Sequence, residues 1–177
     1  MIILVDGFRH DYVKRDKALK GFPRMAKHGV YAKEVNPVHP SKSYPNYYSI
    51  LTGLYPESHG FIGNNIRDKA TGEIFLGSPN VNASNAHWWT GAEPLWVTAE
   101  KHRIKTAVYG WDGCQVRTEN SKKRPPVHVC EPYNGYPGSP RKEKERFRGW
   151  LDRIVEDFKD HKYRLAMTYY ESVDYTG

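Results

Sequence analysis

The chain has 177 residues, of which 38% are hydrophobic and 27% charged, and its formal net charge is +7. This length is enough for one domain with a real core, so the chain does not need the disulfides or metals that support very small proteins. No stretch approaches the run of about 18 consecutive apolar residues that a membrane-spanning helix requires, which excludes a transmembrane helix.

The positive charge is spread over the chain and is densest at residues 121–124 and 141–146. The second run is interleaved with Glu on a predicted helix, as is typical of a solvated face. We therefore predict a general attraction for anionic substrates, and not a nucleic-acid surface.

The first predicted element is a buried parallel strand, residues 1–5, which stops abruptly at Asp6-Gly7. Open α/β sheets bind ligands at the carboxyl ends of their strands, so Asp6 is placed for function. Apolar residues at helical spacing between Leu19 and Ala26 then predict a helix that stops at Gly29. Alternation over residues 30–35 predicts a second strand.

Residues 46–55 are predicted to form a helix, with Pro45 near its first turn and Ser43 at its N-terminus. The unpaired amides and the positive end of the helix dipole would stabilise a phosphate beside Ser43. No His or Asp adjacent in sequence offers a base for the weakly nucleophilic Ser43 hydroxyl, so activation by a metal is favoured.

Helices and strands alternate in the second half of the chain. We predict a helix at 94–103, a strand at 105–111, a helix at 140–160 with one apolar stripe, and a strand at 164–170. The long polar loop 115–140 is expected to decorate the sheet without joining it. The alternation predicts an α/β fold with a mostly parallel sheet and helices on both faces.

A second carboxylate, Asp174, follows the last predicted strand. Asp6 and Asp174 would meet at one edge of such a sheet, where their oxygens could hold divalent cations. Helix capping or turn formation by each Asp is the alternative. The Ser43 hydroxyl nearby favours a metal site suited to phosphoryl chemistry.

Cys114 and Cys130 enclose a polar, Pro-rich loop. A disulfide between them would stabilise the fold by roughly 3 kcal/mol on chain-entropy grounds, and two free thiols are the alternative. Asn82 begins an Asn-Ala-Ser glycosylation acceptor in a predicted surface loop. Both features favour an extracellular protein.

A series of short motifs resembles the ecto-nucleotide pyrophosphatase/phosphodiesterase family of the alkaline-phosphatase superfamily. These motifs run in the family's order over nearly the whole chain: Asp6-Gly7-Phe8-Arg9, Ser43-Tyr44-Pro45-Asn46, Leu51-Thr52-Gly53-Leu54-Tyr55-Pro56, His59-Gly60, Gly63-Asn64, Trp88-Trp89, Glu93-Pro94-Leu95-Trp96 and Glu171-Ser172-Val173-Asp174-Tyr175-Thr176-Gly177. The resemblance implies that superfamily's α/β catalytic core, a two-zinc site and an extracellular or cell-surface location.

The family pattern extends beyond this chain. Residues 1–177 are therefore expected to be the N-terminal portion of a phosphodiesterase catalytic domain, truncated at both ends. The signal peptide and the remaining zinc ligands, which include several histidines after residue 177, would lie outside it. The isolated polypeptide is expected to bind zinc weakly and to show little turnover. The histidines within it, such as His59, are expected to be structural or solvated.

The resemblance also implies a role for each matching residue. Asp6 would ligate one zinc, Ser43 would be both a zinc ligand and the nucleophile, and Asp174 would ligate the other zinc. Asn64 matches the asparagine that donates to a phosphate oxygen. The family position of Ser43 is most often threonine, and a serine there is similar to the choline-specific glycerophosphodiesterase branch.

Similarity to that branch implies choline phosphodiesters as substrates, such as glycerophosphocholine or lysophosphatidylcholine, cleaved through a phosphoserine intermediate. Tyr169 matches a tyrosine of that branch and would contact the quaternary ammonium, with simple packing as the alternative. A nucleotide substrate would instead stack its base on Tyr44. The other alternative is a non-catalytic module that binds phosphate esters or a protein partner.

Overall fold

The computed structural model describes residues 1–15, 20–117 and 127–176. Its first part contains β1 (Ile2–Val5), α1 (Tyr12–Arg15), α2 (Gly21–His28), α3 (Ser43–Thr52) and α4 (Pro56–His59). The middle contains β2 (Asn65–Arg67), β3 (Ile74–Leu76), a 3-10 turn (Val81–Ser84), α5 (Ala86–Trp89) and α6 (Leu95–Lys101). The last part contains β4 (Thr106–Tyr109), β5 (Val129–Glu131), α7 (Pro140–Lys159), β6 (Leu165–Tyr170) and α8 (Ser172–Thr176).

Four parallel strands form the main sheet in the order β1-β6-β4-β5. The strand from the start of the chain, β1, pairs with β6 from its end, so that Ile2 lies opposite Met167. The short strands β2 and β3 form a separate antiparallel hairpin. This architecture confirms the predicted α/β fold with a mostly parallel sheet.

Helices cover both faces of the sheet. Successive residues of β4 point to opposite faces, as in any strand. Val108 packs in an aromatic core that includes Tyr48 of α3 and Trp96 of α6. Tyr109 instead packs with Ile154 of α7 on the other face. The sheet is therefore the middle layer of three, and the carboxyl ends of β1 and β6 open at one edge.

The long helix α7 follows its predicted bounds closely. Pro140 occupies its first turn, and the Ser139 side chain accepts a hydrogen bond from the Lys142 amide, which caps the helix. The predicted apolar stripe is confirmed at Ile154, which is fully buried. The apolar pattern also places Val155 in this stripe, which is wrong: Val155 is 48% exposed, because it lies about 100° further round the helix than Ile154.

Two predictions of secondary structure are wrong. Residues 30–35 form no strand, and Val30 and Val35 are exposed, because an alternating pattern becomes a strand only where a partner strand pairs with it. The loop 115–140 does join the sheet, since β5 pairs with β4 in parallel. A strand of three residues is too short to leave a readable alternation.

Other differences concern element ends and the undescribed residues. The helix predicted at 46–55 spans Ser43–Thr52 and stops because Gly53 takes a left-handed conformation, with φ of 71°. Leu19 and the basic run 121–124 lie outside the described residues. None of the described helices is long and apolar enough to cross a membrane.

Cys114 and Cys130 form a disulfide in the structure. It ties the loop after β4 to β5 at the edge of the sheet, and Cys114 is fully buried. Asn82 lies exposed in the 3-10 turn, so its side chain is accessible, and its glycosylation stays a prediction.

His59, at the end of α4, is fully buried against the aromatic core. The Phe61 amide donates to Nδ1 across 3.1 Å, which leaves the hydrogen on Nε2, 2.9 Å from the Ser49 hydroxyl oxygen. Burial lowers the pKa of His59 and outweighs the opposing effects of the Pro45 carbonyl and the Glu57 charge. The fold thus accommodates the neutral ring, in a structural role.

We expect acid to weaken the fold through His59. Between its lowered folded pKa and an unfolded value of about 6.5, the unfolded chain binds a proton that the folded chain does not. Stability therefore falls as the pH falls below about 6.5, by at most about 1.4 kcal/mol per pH unit for this one proton. Urea unfolding of the wild type and of His59→Gln between about pH 7.5 and 5.5 measures the effect. Equal pH slopes in the two proteins would contradict the prediction.

Candidate active site

The residues predicted from the strand ends and the helix start meet at one cavity of about 250 Å³. Asp6 follows β1, Asp174 lies in α8 just after β6, Ser43 is the first residue of α3, and Asn64 precedes β2. All four line the cavity, together with both tyrosines predicted to bind substrate. The parallel sheet brings these elements together because β1 and β6 are adjacent and end at the same edge.

Asp6 and Ser43 are in direct contact. The Ser43 hydroxyl donates to Asp6 Oδ2 across 2.7 Å, and the Tyr169 hydroxyl donates to the same oxygen. The Gly7 amide donates to Asp6 Oδ1 across 3.0 Å. The carboxylate is therefore oriented by donors from the turn after β1, from α3 and from β6.

Gly7 allows Asp174 to approach Asp6. Its φ is +66°, and a Cβ at this position would lie 2.6 Å from the Asp174 Cα, so only glycine fits. Desolvation, followed by the negative charge of Asp6, raises the pKa of Asp174. Two carboxylates of like charge beside a hydroxyl are an arrangement that a cation would stabilise.

The donors at this point fit a divalent metal ion. Asp6 and Asp174 offer carboxylate oxygens, which are ordinary zinc ligands, and Ser43 adds a hydroxyl oxygen. Within residues 1–15, 20–117 and 127–176, no group of three or more His, Cys, Asp or Glu side chains is arranged to hold a metal. Asp6, Asp174 and Ser43 could therefore supply part of a ligand set.

The start of α3 is arranged differently from the prediction. The Tyr44 amide donates to Asn64 Oδ1 across 3.0 Å, and Pro45 has no amide hydrogen. The first turn therefore offers an anion fewer free N–H groups than expected, although the helix dipole remains. The same contact orients the Asn64 side chain and leaves its Nδ2 group as a donor.

Aromatic rings form the wall beside Asp6. The centroid of the Tyr169 ring lies 6.3 Å from that of Tyr47, 6.2 Å from that of Trp111 and 6.1 Å from that of Tyr133. Burial, and then the charge of Asp6, raise the pKa of Tyr169, so its hydroxyl stays protonated and donates. Sequence reasoning missed the other three rings, because their common wall forms only in the folded chain.

Tyr44 is more deeply packed than a base-stacking role suggests. It is 8% exposed, and its ring contacts those of Tyr47, Phe61 and Phe75. Its hydroxyl donates to Asp112 Oδ2 across 2.6 Å. This burial favours a place in the cavity wall over an exposed platform.

Glu171 is a buried cavity residue to which the sequence analysis assigned no role. It directly follows β6, and the Tyr133 hydroxyl donates to its Oε2. Burial is the main cause that raises the pKa of Glu171 to about 7, although Arg146 lies 3.6 Å away. Glu171 directly follows the strand predicted at 164–170, so the strand-end signal that drew attention to Asp6 could also have identified it.

The sequence is similar to those of known pyrophosphatases and phosphodiesterases. The sequence profile of the type I phosphodiesterase / nucleotide pyrophosphatase family matches residues 1–177. An uncharacterised pyrophosphatase/phosphodiesterase of Schizosaccharomyces pombe is 36% identical over 181 residues, which cover 100% of this chain and 34% of the relative. Ectonucleotide pyrophosphatase/phosphodiesterase family member 3 of Mus musculus is 38% identical over 122 residues, which cover 68% of this chain and 14% of the relative.

Solved structures agree with the sequence comparison. Murine ectonucleotide pyrophosphatase/phosphodiesterase 5 superposes with a TM-score of 0.79 at 27% identity, over 99% of this chain and 44% of that chain. An inactive variant of the same murine protein in complex with AMP superposes with a TM-score of 0.77, at the same identity and coverage. The chain thus spans about a third of the yeast relative and less than half of the murine chain. It belongs to the type I phosphodiesterase / nucleotide pyrophosphatase family, within the alkaline-phosphatase superfamily.

Proposed function

We propose that the chain is the N-terminal portion of a catalytic domain that hydrolyses phosphodiesters with the aid of two Zn²⁺ ions. The observation that carries this proposal is the Ser43 hydroxyl, 2.7 Å from Asp6 Oδ2, in a cavity that Asp174 and Asn64 also line. A nucleophile, two carboxylate ligands and a hydrogen-bond donor are the groups that phosphoryl transfer requires.

Each of these residues has a distinct task. Zinc, when bound, lowers the pKa of a coordinated hydroxyl and neutralises charge on the phosphate oxygens. Asp6 orients the Ser43 oxygen towards the cavity. The Ser43 oxygen attacks phosphorus, the bond from phosphorus to the alcohol oxygen breaks, and the proton lost by the Ser43 hydroxyl is balanced by protonation of the departing alcohol. Water then breaks the bond between phosphorus and the Ser43 oxygen, which restores the hydroxyl and releases the phosphomonoester. The Nδ2 group of Asn64 donates to a non-bridging phosphate oxygen and stabilises the charge that develops there.

Choline phosphodiesters, such as glycerophosphocholine or lysophosphatidylcholine, are the proposed substrates. A quaternary ammonium binds against aromatic faces, and the rings of Tyr169, Trp111 and Tyr133 line the cavity beside Asp6. The buried Glu171 adds a carboxylate to the same wall. The serine at the nucleophile position supports the same substrate class, through its similarity to the choline-specific branch.

A nucleotide phosphodiester is the second candidate substrate. The inactive murine variant was solved in complex with AMP, and its structure matches 99% of this chain. In this alternative the aromatic wall, including Tyr44, would contact a base.

An extracellular or cell-surface location is proposed for the whole protein. Its Cys114–Cys130 disulfide is typical of an oxidising compartment, and the exposed Asn82 is available for glycosylation. The proposed partner is a small phosphodiester, and nucleic acid is not expected to bind.

Zinc-dependent hydrolysis by the full-length protein tests the proposal. Glycerophosphocholine and lysophosphatidylcholine should be cleaved with a higher kcat/KM than a nucleotide phosphodiester, and chelation should stop the reaction. A higher kcat/KM for the nucleotide phosphodiester would instead support the second candidate substrate. Cleavage of neither would favour a non-catalytic binding module.

Tyr169→Ala should weaken cleavage of choline esters more than cleavage of nucleotide esters. Loss of a cation–π contact of about 1 to 2 kcal/mol corresponds to an additional loss of about 5- to 30-fold in kcat/KM for choline esters. Because the Tyr169 hydroxyl also donates to Asp6, Tyr169→Phe is the matched control, which keeps the ring and should keep the preference. Equal losses for both substrate classes in Tyr169→Ala would indicate a purely structural ring.

A further inference from the structure

Asp112 is a buried carboxylate of the cavity that the proposed chemistry does not use. It lies just after β4 and is 3% exposed. Four donors surround it: the Tyr44 and Ser78 hydroxyls at 2.6 and 2.7 Å from Oδ2, and the Gly113 amide and Gln115 Nε2 at 3.1 and 2.6 Å from Oδ1. Because each carboxylate oxygen accepts from two donors, the Asp112 side chain is held in one orientation.

Tyr44 connects this carboxylate to the nucleophile. It immediately follows Ser43 in the first turn of α3, and its amide is bound by Asn64. Its hydroxyl accepts the Ser78 amide across 2.8 Å while it donates to Asp112. A Cβ at Gly77 would lie 2.8 Å from the Tyr44 ring, so the ring fills its slot closely. Tyr44 is thus held at its backbone and at its hydroxyl.

The loop that carries Asp112 is itself anchored to the sheet. Gly113 has a φ of +103°, and a Cβ there would lie 2.2 Å from the Trp89 ring, so the loop passes directly over that ring. The next residue, Cys114, is fully buried and forms the disulfide with Cys130 of β5. Asp112 is therefore a fixed point from which Tyr44 can be held.

We propose that Asp112 is a positioning residue. Through Tyr44 it holds the start of α3, so that the Ser43 hydroxyl stays hydrogen-bonded to Asp6 and faces the cavity. The proposal rests on the proposed phosphodiesterase function. In this role Asp112 affects the geometry of attack and not substrate affinity, so loss of its contact with Tyr44 should lower kcat and leave KM nearly unchanged.

Three variants of the full-length protein test this role. Asp112→Asn removes the charge at constant size, Tyr44→Phe removes the donor, and the double variant combines them. We expect each single change to lower kcat about 10- to 100-fold with little change in KM. The kcat of the double variant should fall no further than that of the more impaired single variant, because all three variants alter the same hydrogen bond between Tyr44 and Asp112.

Tyr48→Phe is the matched control. Tyr48 lies on the same helix, is fully buried, and donates its hydroxyl to the Ala92 carbonyl across 2.7 Å, away from the cavity. Its loss should lower the thermal midpoint to a similar degree and leave kcat unchanged. A second readout, independent of turnover, is hydrogen exchange at the Tyr44 amide in zinc-free protein, which should accelerate in Asp112→Asn and Tyr44→Phe but not in Tyr48→Phe.

Two results would overturn the proposal. One is a loss of kcat in Asp112→Asn and Tyr44→Phe no larger than in Tyr48→Phe, and the other is unchanged exchange at the Tyr44 amide in those two variants. If the wild type cleaves no phosphodiester, the proposed function fails, and the exchange measurement by itself decides whether Asp112 holds the helix start.

Discussion

Ser43→Ala is expected to abolish phosphodiester cleavage by the full-length protein. Without the hydroxyl no phosphoserine can form, and removal of a catalytic nucleophile costs on the order of 10⁴-fold or more in kcat. The fold should survive, because loss of the hydrogen bond from Ser43 to Asp6 costs about 1 kcal/mol. Initial rates with glycerophosphocholine, together with circular dichroism and a thermal midpoint, measure both outcomes.

Ser49→Ala is the control for this experiment. Ser49 lies on the same helix, and its hydroxyl contacts the buried His59 instead of the cavity. This variant should lose some stability and keep its turnover. Substantial cleavage by Ser43→Ala would exclude Ser43 as the nucleophile, whatever the control shows.

Asp6→Asn is expected to remove zinc binding together with activity. The amide keeps the shape of the side chain, and its oxygen can still accept from Ser43 and Tyr169. The contact from the Gly7 amide is lost, because an NH2 group cannot accept, but the cavity should retain its form. It lacks the negative charge, however, and zinc prefers charged carboxylate oxygens. We expect zinc affinity to fall by at least about 100-fold, a loss at least as large as that caused by changes around metal ligands. Titration calorimetry of the full-length wild type and variant with Zn²⁺ measures the zinc affinity directly.

Asp174→Asn should have a similar effect, because Asp174 lies against Gly7 beside the same carboxylate. Asp11→Asn serves as the control, since Asp11 lies at the surface, where it pairs with Arg9 and Arg15. Unchanged zinc affinity in Asp6→Asn and Asp174→Asn would show that the strand-end carboxylates do not hold the metal. In that case the proposed role of zinc would have to be withdrawn, even if Ser43 proved essential.

Part of the site was predictable because its signals are local. An apolar run that stops at Asp6-Gly7 indicates a strand end, and Pro45 two residues after Ser43 indicates a helix start, whatever the rest of the chain does. Asp174, shortly after the predicted strand 164–170, can be identified in the same way. The same kind of signal failed at residues 30–35, where alternation without a partner strand produced no strand.

The sequence by itself thus determined the α/β alternation, the places of Asp6 and Ser43 at a strand end and a helix start, and the place of Asp174 shortly after the last strand. The contacts that organise the cavity were decided only by the tertiary structure. The Tyr169 hydroxyl reaches Asp6 across a separation of 163 residues, and Tyr44 reaches Asp112 across 68. The physical reason is that local periodicity encodes which face of an element is buried, whereas the partner that a side chain meets depends on strand order and loop path.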